Sequence, residues 1–401
     1  MTTSVYKNVM RRFPATILIF CLVIAFWTIL SSDSTKLDSQ PFPDSQSYFS
    51  EAVQIARGNG FVINFDERIS SAKNLIGVNE TYPSRYPPGF SLILAPFVVA
   101  FGNVGVEVGV KAVTFLMLVT ATVIAKRLSG YFAATLTAAT ITTSPFFQKS
   151  ATLVMSDAFG ALLCLLAILA MIEITRCGPQ GNRARNLSII LGMICGYAVI
   201  SRIALLFTIV AAAIIFVKRR NLRWITLGFA PFLLLLGILQ YLQFGSPFRT
   251  GYSLYASEYV EFSISHLTQT YLRGERAFIF PDLLQGKLMT WTCPCDRYGP
   301  IGKAPNIVFY PATLSGLYWI FMPPLLGVLG FYKLLKSLCN ETYRFMALLF
   351  ALNTITMVFY FFQGARLVAP SALILIISGS VLVAELATKA RKSARSHRLR
   401  E

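Results

Sequence analysis

Long apolar runs separated by short polar segments make up most of the chain. Each run is roughly 15–22 residues long, close to the length that an α-helix needs to cross a bilayer. The pattern therefore predicts an all-α polytopic membrane protein. The ten predicted spans are 14–31, 107–125, 130–145, 156–175, 187–201, 203–217, 224–243, 312–332, 345–362 and 367–388.

Two apolar stretches need separate treatment. The run from 13 to 30 could be mistaken for a signal peptide. Its apolar core is longer than the roughly 7–15 residues of a signal sequence, and no small-residue cleavage site follows, so we predict a retained span. The run from 90 to 101 has about 12 residues, which is too few to cross alone. We predict a shallow or re-entrant helix on the outer face.

The polar segments divide the chain into three predicted parts. Residues 1–311 form one module, which contains the first span, an outward loop at 33–106, six further spans and a second outward loop at 244–311. Residues 312–388 form a three-span bundle, and residues 389–401 form a basic cytoplasmic tail.

The distribution of charge supports this topology. Only 13% of the residues are charged and 55% are hydrophobic, whereas about a quarter of a soluble domain is charged. On the side that carries both termini lie 21 of the 36 basic residues but four of the 18 acidic ones. The net charge of +18 therefore follows the positive-inside rule and predicts cytoplasmic termini and contact with membrane lipid. It gives no support for nucleic-acid binding.

The first outward loop contains the most informative polar residues. An isolated acid, Asp44, lies four residues before Tyr48, and an amphipathic pattern from Tyr48 to Ala56 predicts a short helix that stops at Gly58-Asn59-Gly60. Asp44 could cap this helix or act in a reaction. Further on, the segment 85–89, Arg-Tyr-Pro-Pro-Gly, predicts a rigid non-helical turn.

Other polar residues occur at the outward ends of predicted spans. Asp157 opens one span and could serve as a helix N-cap. Arg202 lies at the tip of a helical hairpin, where it either snorkels to the surface or pairs with an anion such as phosphate. Arg366 lies at the outward start of the last span. His266, near Glu258 and Glu261 in the late loop, could be a surface residue, a base or a metal ligand.

These residues converge on one side of the membrane, while the middles of the spans lack charge. A proton- or ion-coupled transporter would normally carry an ionisable residue at the midplane. The layout instead favours a reaction at the outer membrane surface on a lipid with a phosphate head group.

Four segments together are similar to a known family. They are D-S-Q-S-Y with A-x-x-x-A-R-G-N-G (44–60), Y-P-P-G-F (86–90), S-P with S-D (144–145 and 156–157), and F-G-S-P-F-R-T-G-Y (244–252) with G-A-R-L-V-A-P (364–370). Their order resembles the GT-C glycosyltransferases, polytopic enzymes that use polyprenyl-phosphate-linked sugars. The similarity is closest to the branch with the protein O-mannosyltransferases and the aminoarabinose transferase.

The resemblance implies roles for particular residues. It assigns the catalytic base to Asp44, which would deprotonate an acceptor hydroxyl during inverting transfer, with Asp157 orienting the acceptor or the base. Further residues implied are Arg202, Arg366 and Arg85 for the donor phosphate, and Tyr48, Tyr86, Tyr252 and Glu258 for substrate contacts. The implied partners are a polyprenyl-phosphate-linked sugar and a glycan, lipid or protein acceptor at the outer face of a bacterial inner membrane.

The match is incomplete at one motif. The mannosyltransferases have an Asp-Glu pair where this chain has Asp44-Ser45, which puts a protein acceptor in doubt. Some relatives bind a divalent cation, but the sequence contains no clear ligand set; His266 with Glu258 or Glu261 is the candidate. The alternative that stays open is a transporter or polymerase of lipid-linked saccharides.

Overall fold

The computed structural model describes residues 2–32, 43–64, 81–178, 181–217, 219, 221–251, 322–359 and 368–398. The helices within these ranges are α1 Thr2–Ser31, α2 Pro43–Ala56, α3 Gly89–Phe101, α4 Val104–Ser129, α5 Tyr131–Thr142, α6 Pro145–Ser150, α7 Ser156–Cys177, α8 Asn182–Ser201, α9 Phe207–Phe216, α10 Asn221–Phe244, α11 Pro324–Lys336, α12 Glu341–Phe359 and α13 Ala369–Arg398. A 3₁₀ turn, Ile203–Leu206, joins α8 to α9. Two short antiparallel strands, β1 Val62–Ile63 and β2 Tyr82–Pro83, pair Ile63 with Tyr82.

Helices long and apolar enough to cross a membrane confirm the predicted polytopic helical class. Five such helices occur in the described residues: α4, α7, α8, α10 and the part of α13 from Ala369 to Ala394. Shorter apolar helices cover Ala15–Ser31, Gly89–Phe101 and Ile203–Phe216. The total of ten crossings and the re-entrant path of α3 stay predictions.

Several boundaries differ from those predicted. The span predicted at 130–145 is α5, which has 12 residues and stops at Thr142, just before the Ser144 side chain accepts a hydrogen bond from the Phe147 N–H and starts α6. The span predicted at 203–217 begins with a 3₁₀ turn before α9. The basic residues after 388 continue α13 as far as Arg398.

Helix α7 lies at the centre of the bundle. It packs against α4, α8, α12 and α13, and most of its residues are buried from Ser156 through Ile174. A helix that is apolar on every side can face either lipid or other helices, and α7 is surrounded by other helices. Ser156 and Asp157 are the first two residues of this helix, which is the most buried of the five candidate spans in the described residues.

Helices α8 and α10 pack closely and in parallel through glycines. A Cβ atom added at Gly192 would lie 2.0 Å from the Ile225 carbonyl oxygen, and one added at Gly228 would lie 2.2 Å from that of Ile189. Gly192 and Gly196 have the GxxxG spacing that allows the backbones of membrane helices to approach. This close packing fixes the position of α8, whose C-terminal end leads into Arg202.

Candidate active site

The short helix α2 carries Asp44 in its first turn. The predicted helix is confirmed: Tyr48 and Ala52 are buried, and α2 packs against α3. The helix ends before Gly58 and Gly60, whose φ angles of 79° and 84° suit glycine. Asp44 itself is half-buried, and a carboxylate in the first turn of a helix is favoured by the helix dipole.

The turn at 85–89 directs a phenol at this carboxylate. The Tyr86 hydroxyl donates a hydrogen bond of 2.6 Å to Oδ1 of Asp44. The Tyr86 ring packs on the Tyr48 ring with centroids 5.0 Å apart, and the Arg85 guanidinium lies 5.9 Å from the centroid of the Tyr86 ring. The hydrogen bond and the ring contact together fix the orientation of the Asp44 side chain.

Tyr48 connects α2 to the start of α7. Its hydroxyl lies 2.9 Å from Oγ of Ser156, and both groups are buried. Burial raises the pKa of the Tyr48 phenol above its ordinary value, while the nearby Arg202 charge lowers it. The negative charges of Asp44 and Asp157 raise it further, so Tyr48 stays protonated and sits within the field of all three charges.

An ion pair joins α7 to the break after α8. Nη1 of Arg202 binds Oδ1 of Asp157 directly, with the two side chains 21% and 6% exposed. Arg202 has an extended backbone (φ −157°, ψ 119°), so α8 stops at Ser201 as predicted. A Cβ atom added at Gly160 would lie 3.6 Å from Cδ of Arg202, so this glycine borders the arginine side chain. Asp157 is not the N-cap, a position that Met155 occupies.

The start of α3 abuts the end of α8. A Cβ atom added at Gly89 would lie 2.4 Å from Oγ of Ser201 and 2.7 Å from its backbone nitrogen. The Tyr197 hydroxyl also donates a 2.8 Å hydrogen bond to the Gly89 carbonyl oxygen. Tyr86 precedes this junction by three residues and Arg202 follows Ser201, so the Asp44–Tyr86 pair and the Asp157–Arg202 pair share one end of the bundle.

The start of the predicted second outward loop also contacts residues of the predicted first loop. The Gln243 side chain donates a 2.5 Å hydrogen bond to the Phe61 carbonyl oxygen, and a Cβ atom added at Gly251 would lie 2.4 Å from the Ser84 carbonyl oxygen. The predicted site residues beyond this point lie outside the described residues, namely Tyr252, Glu258, Glu261, His266 and Arg366. Among the described residues, no group of three or more His, Cys, Asp or Glu side chains is placed to hold a metal ion.

A second acid, which the sequence pattern did not single out, lies on the same helix face as Asp44. Glu51 is fully buried, and its Oε2 accepts a 2.7 Å hydrogen bond from the Ser91 hydroxyl. The spacing contains a signal that could have found it, because residues seven apart lie on one face of a helix. Asp44 is therefore not isolated, since Glu51 lies two turns further along and attaches α2 to α3.

Comparisons with known proteins show the same architecture. No protein-family model matches the sequence, and no curated protein matches it. The apo oligosaccharyltransferase of Archaeoglobus fulgidus matches 96% of this chain at 14% identity, with a TM-score of 0.58. ArnT from Cupriavidus metallidurans, bound to undecaprenyl phosphate, matches 92% at 11% identity, with a TM-score of 0.56.

A third structure extends the likeness. AglB from Archaeoglobus fulgidus, in complex with an inhibitory peptide and a dolichol-phosphate, matches 98% of the chain at 12% identity, with a TM-score of 0.59. The chain spans 52% of the length of AglB and 60% of the length of ArnT. At these identities the likeness shows the fold alone, and it confirms the predicted all-α, GT-C-like membrane fold. The chain shares its fold with the oligosaccharyltransferase of Archaeoglobus fulgidus and with ArnT of Cupriavidus metallidurans.

Proposed function

We propose that the protein is a membrane glycosyltransferase that moves a sugar from a polyprenyl-phosphate donor to an acceptor hydroxyl at the extracytoplasmic face. The observation that carries this proposal is the arrangement at one end of the bundle. There a half-buried carboxylate, Asp44, is oriented by Tyr86, and a guanidinium, Arg202, lies beside a helix break. Undecaprenyl phosphate in ArnT and dolichol-phosphate in AglB support a lipid-phosphate carrier.

Asp44 is proposed as the general base. It takes the proton of the acceptor hydroxyl while the hydroxyl oxygen bonds to the anomeric carbon of the sugar. The bond between that carbon and the phosphate oxygen breaks at the same time, and the configuration inverts. The hydrogen bond from Tyr86 supports this role because it fixes the direction in which the carboxylate points.

Arg202 is proposed to neutralise the leaving polyprenyl phosphate. A guanidinium is a natural bidentate partner of phosphate, and it stabilises the charge that develops as the bond breaks. Asp157 holds this guanidinium through Oδ1, so we propose that Asp157 positions Arg202 in addition to any contact with the acceptor. Arg366 and Arg85 are the further candidates for the phosphate.

The remaining assignments are proposals of the same kind. Tyr48 and Tyr86 border the carboxylate, and Tyr252 and Glu258 would contact the acceptor from the second outward loop, whose first residues reach Ser84. The basic residues at the opposite end of the bundle support cytoplasmic termini and a site on the extracytoplasmic side. The assignment to a bacterial inner membrane rests on the family resemblance alone.

The test uses purified protein and a panel of radiolabelled polyprenyl-phosphate sugars, with glycan, lipid and peptide acceptors. Sugar transfer with release of polyprenyl phosphate is the expected result. A parallel assay follows movement of a fluorescent lipid-linked sugar across vesicles that contain the protein. Movement across the vesicles without transfer from any donor would contradict the proposal and favour a transporter of lipid-linked saccharides.

A further inference from the structure

Arginines surround one carboxylate at the end of the bundle opposite the candidate site. Glu173 follows Asp157 by sixteen residues on α7, which puts it about 24 Å further along the helix axis. Nε of Arg127 lies 3.7 Å and Nη1 of Arg176 lies 3.5 Å from Oε1 of Glu173. Nη2 of Arg183 lies 3.6 Å from Oε2. These four residues are the arginine cluster.

The cluster carries more positive charge than Glu173 can balance. Three guanidinium groups share one carboxylate, and the contacts are longer than the roughly 2.7–2.9 Å of a strong charge-assisted hydrogen bond. The side chains of Arg127, Arg176 and Arg183 are 52%, 42% and 75% exposed, against 20% for Glu173. The cluster therefore turns cationic hydrogen-bond donors outward, where an anion can reach them.

The position of the arginine cluster in the bundle indicates which kind of anion would bind there. Arg127 and Arg176 occupy the last turns of α4 and α7, and Arg183 occupies the first turn of α8, so the cluster lies between three helix ends. Tyr and Trp residues typically lie at the level of the lipid head groups. At the same end of the bundle, Lys126 lies 4.4 Å from the ring centroid of Tyr131, and Arg223 and Arg185 lie 4.6 Å and 5.5 Å from that of Trp224.

We propose that the arginine cluster binds the head group of an anionic phospholipid. Basic pockets between helix ends at this depth suit a lipid phosphate, which guanidinium groups bind in a bidentate manner. A zwitterionic head group would bring a quaternary ammonium toward three arginines and is disfavoured. Glu173 keeps the three side chains together when no lipid is bound and competes with the lipid for them.

The test measures lipid binding to detergent-solubilised protein by native mass spectrometry, with phosphatidylglycerol and phosphatidylcholine as the two probes. Phosphatidylglycerol is expected to bind the wild type more tightly. An Arg127→Gln/Arg183→Gln double variant is expected to weaken that binding more than tenfold, since each arginine near an anionic surface is worth about a factor of five. The matched control, Arg391→Gln, removes one exposed charge from α13 and should change little.

A second variant distinguishes a loss of lipid binding from a loss of folding. Glu173→Gln removes the competing carboxylate, so it should bind phosphatidylglycerol more tightly than the wild type, a gain that a damaged protein would not give. Equal affinity for the two lipids, a loss of affinity in Glu173→Gln, or an equal loss in Arg391→Gln would each overturn the proposal. Full displacement of the lipid by millimolar inorganic phosphate would also overturn it and indicate a site for small anions.

Discussion

Breaking the ion pair between Asp157 and Arg202 should lower the unfolding free energy by an amount that depends on how deeply the remaining side chain is buried. The Asp157 side chain is 6% exposed, so Arg202→Gln leaves a carboxylate that has lost its cation in a nearly dry position. Removing one partner of a buried pair costs about 3–5 kcal/mol of unfolding free energy. Arg202 is 21% exposed and can reach water, so Asp157→Asn should cost less, about 1–2 kcal/mol.

The double variant removes both charges and should be more stable than the sum of the single effects implies. We expect a coupling energy of about 1–3 kcal/mol between the two positions. The assay is unfolding of the purified protein in mixed micelles, with all four members of the cycle compared. A matched control is the Arg219–Glu341 pair, whose side chains are 38% and 30% exposed and whose coupling should stay under about 1 kcal/mol.

The two single variants should differ in their affinity for the polyprenyl-phosphate donor. Arg202→Gln should weaken binding of polyprenyl phosphate at least tenfold, because the guanidinium is proposed to contact the phosphate. Asp157→Asn keeps that guanidinium and should retain most of the affinity. Strictly additive unfolding energies would show that the two side chains are not coupled. A larger loss of donor affinity in Asp157→Asn than in Arg202→Gln would show that Arg202 does not bind the phosphate.

Three further predictions concern helix packing, catalysis and the pH dependence of stability. Gly228→Ala should lower the unfolding free energy by about 1–3 kcal/mol, because the new Cβ atom would overlap the Ile189 carbonyl oxygen. The control is Gly237→Ala on the same helix, which should not lower it, because the new Cβ atom would meet only Pro247 at 3.7 Å. Tyr86→Phe should lower the kcat of sugar transfer with little change in donor KM, since it removes the hydrogen bond to Asp44 but keeps the ring contact with Tyr48. The control is Tyr241→Phe, a substitution at an exposed tyrosine. An unchanged kcat in Tyr86→Phe, or the same loss in Tyr241→Phe, would contradict this prediction. The raised pKa of Tyr48 means that the folded protein keeps a proton that the unfolded chain releases near pH 10, so stability should fall as pH rises past about 10. Comparing thermal unfolding across that range, Tyr48→Phe should show a shallower fall, and an identical slope would contradict the assignment.

Features encoded by local pattern were predictable from the sequence. The apolar spacing from Tyr48 to Ala56 gave the helix α2, and the Ser201-Arg202 interruption between two apolar runs gave the end of α8. The strands β1 and β2 could not be predicted in this way, because each has two residues and no alternation to read.

Contacts between helices were harder to predict from the sequence. Arg202 and Asp157 lie 45 positions apart, on elements whose sequences do not say which faces meet. Helix α7 is apolar on all sides, so its pattern identifies a membrane span without showing whether lipid or other helices surround it. For the same reason, the sequence suggested an anion partner for Arg202 but could not indicate that Asp157 supplies one.

The most direct test of the account is the rate of sugar transfer by Asp44→Asn, with donor binding measured on the same sample. The matched control is Glu107→Gln, an acid on α4 that pairs with Lys111 at 2.7 Å and lies outside the proposed site. Asp44→Asn is expected to bind donor normally and to transfer sugar at least a hundredfold more slowly, since general-base catalysis contributes roughly 10²–10⁴-fold. If Asp44→Asn transferred sugar as fast as Glu107→Gln does, Asp44 would not be the base.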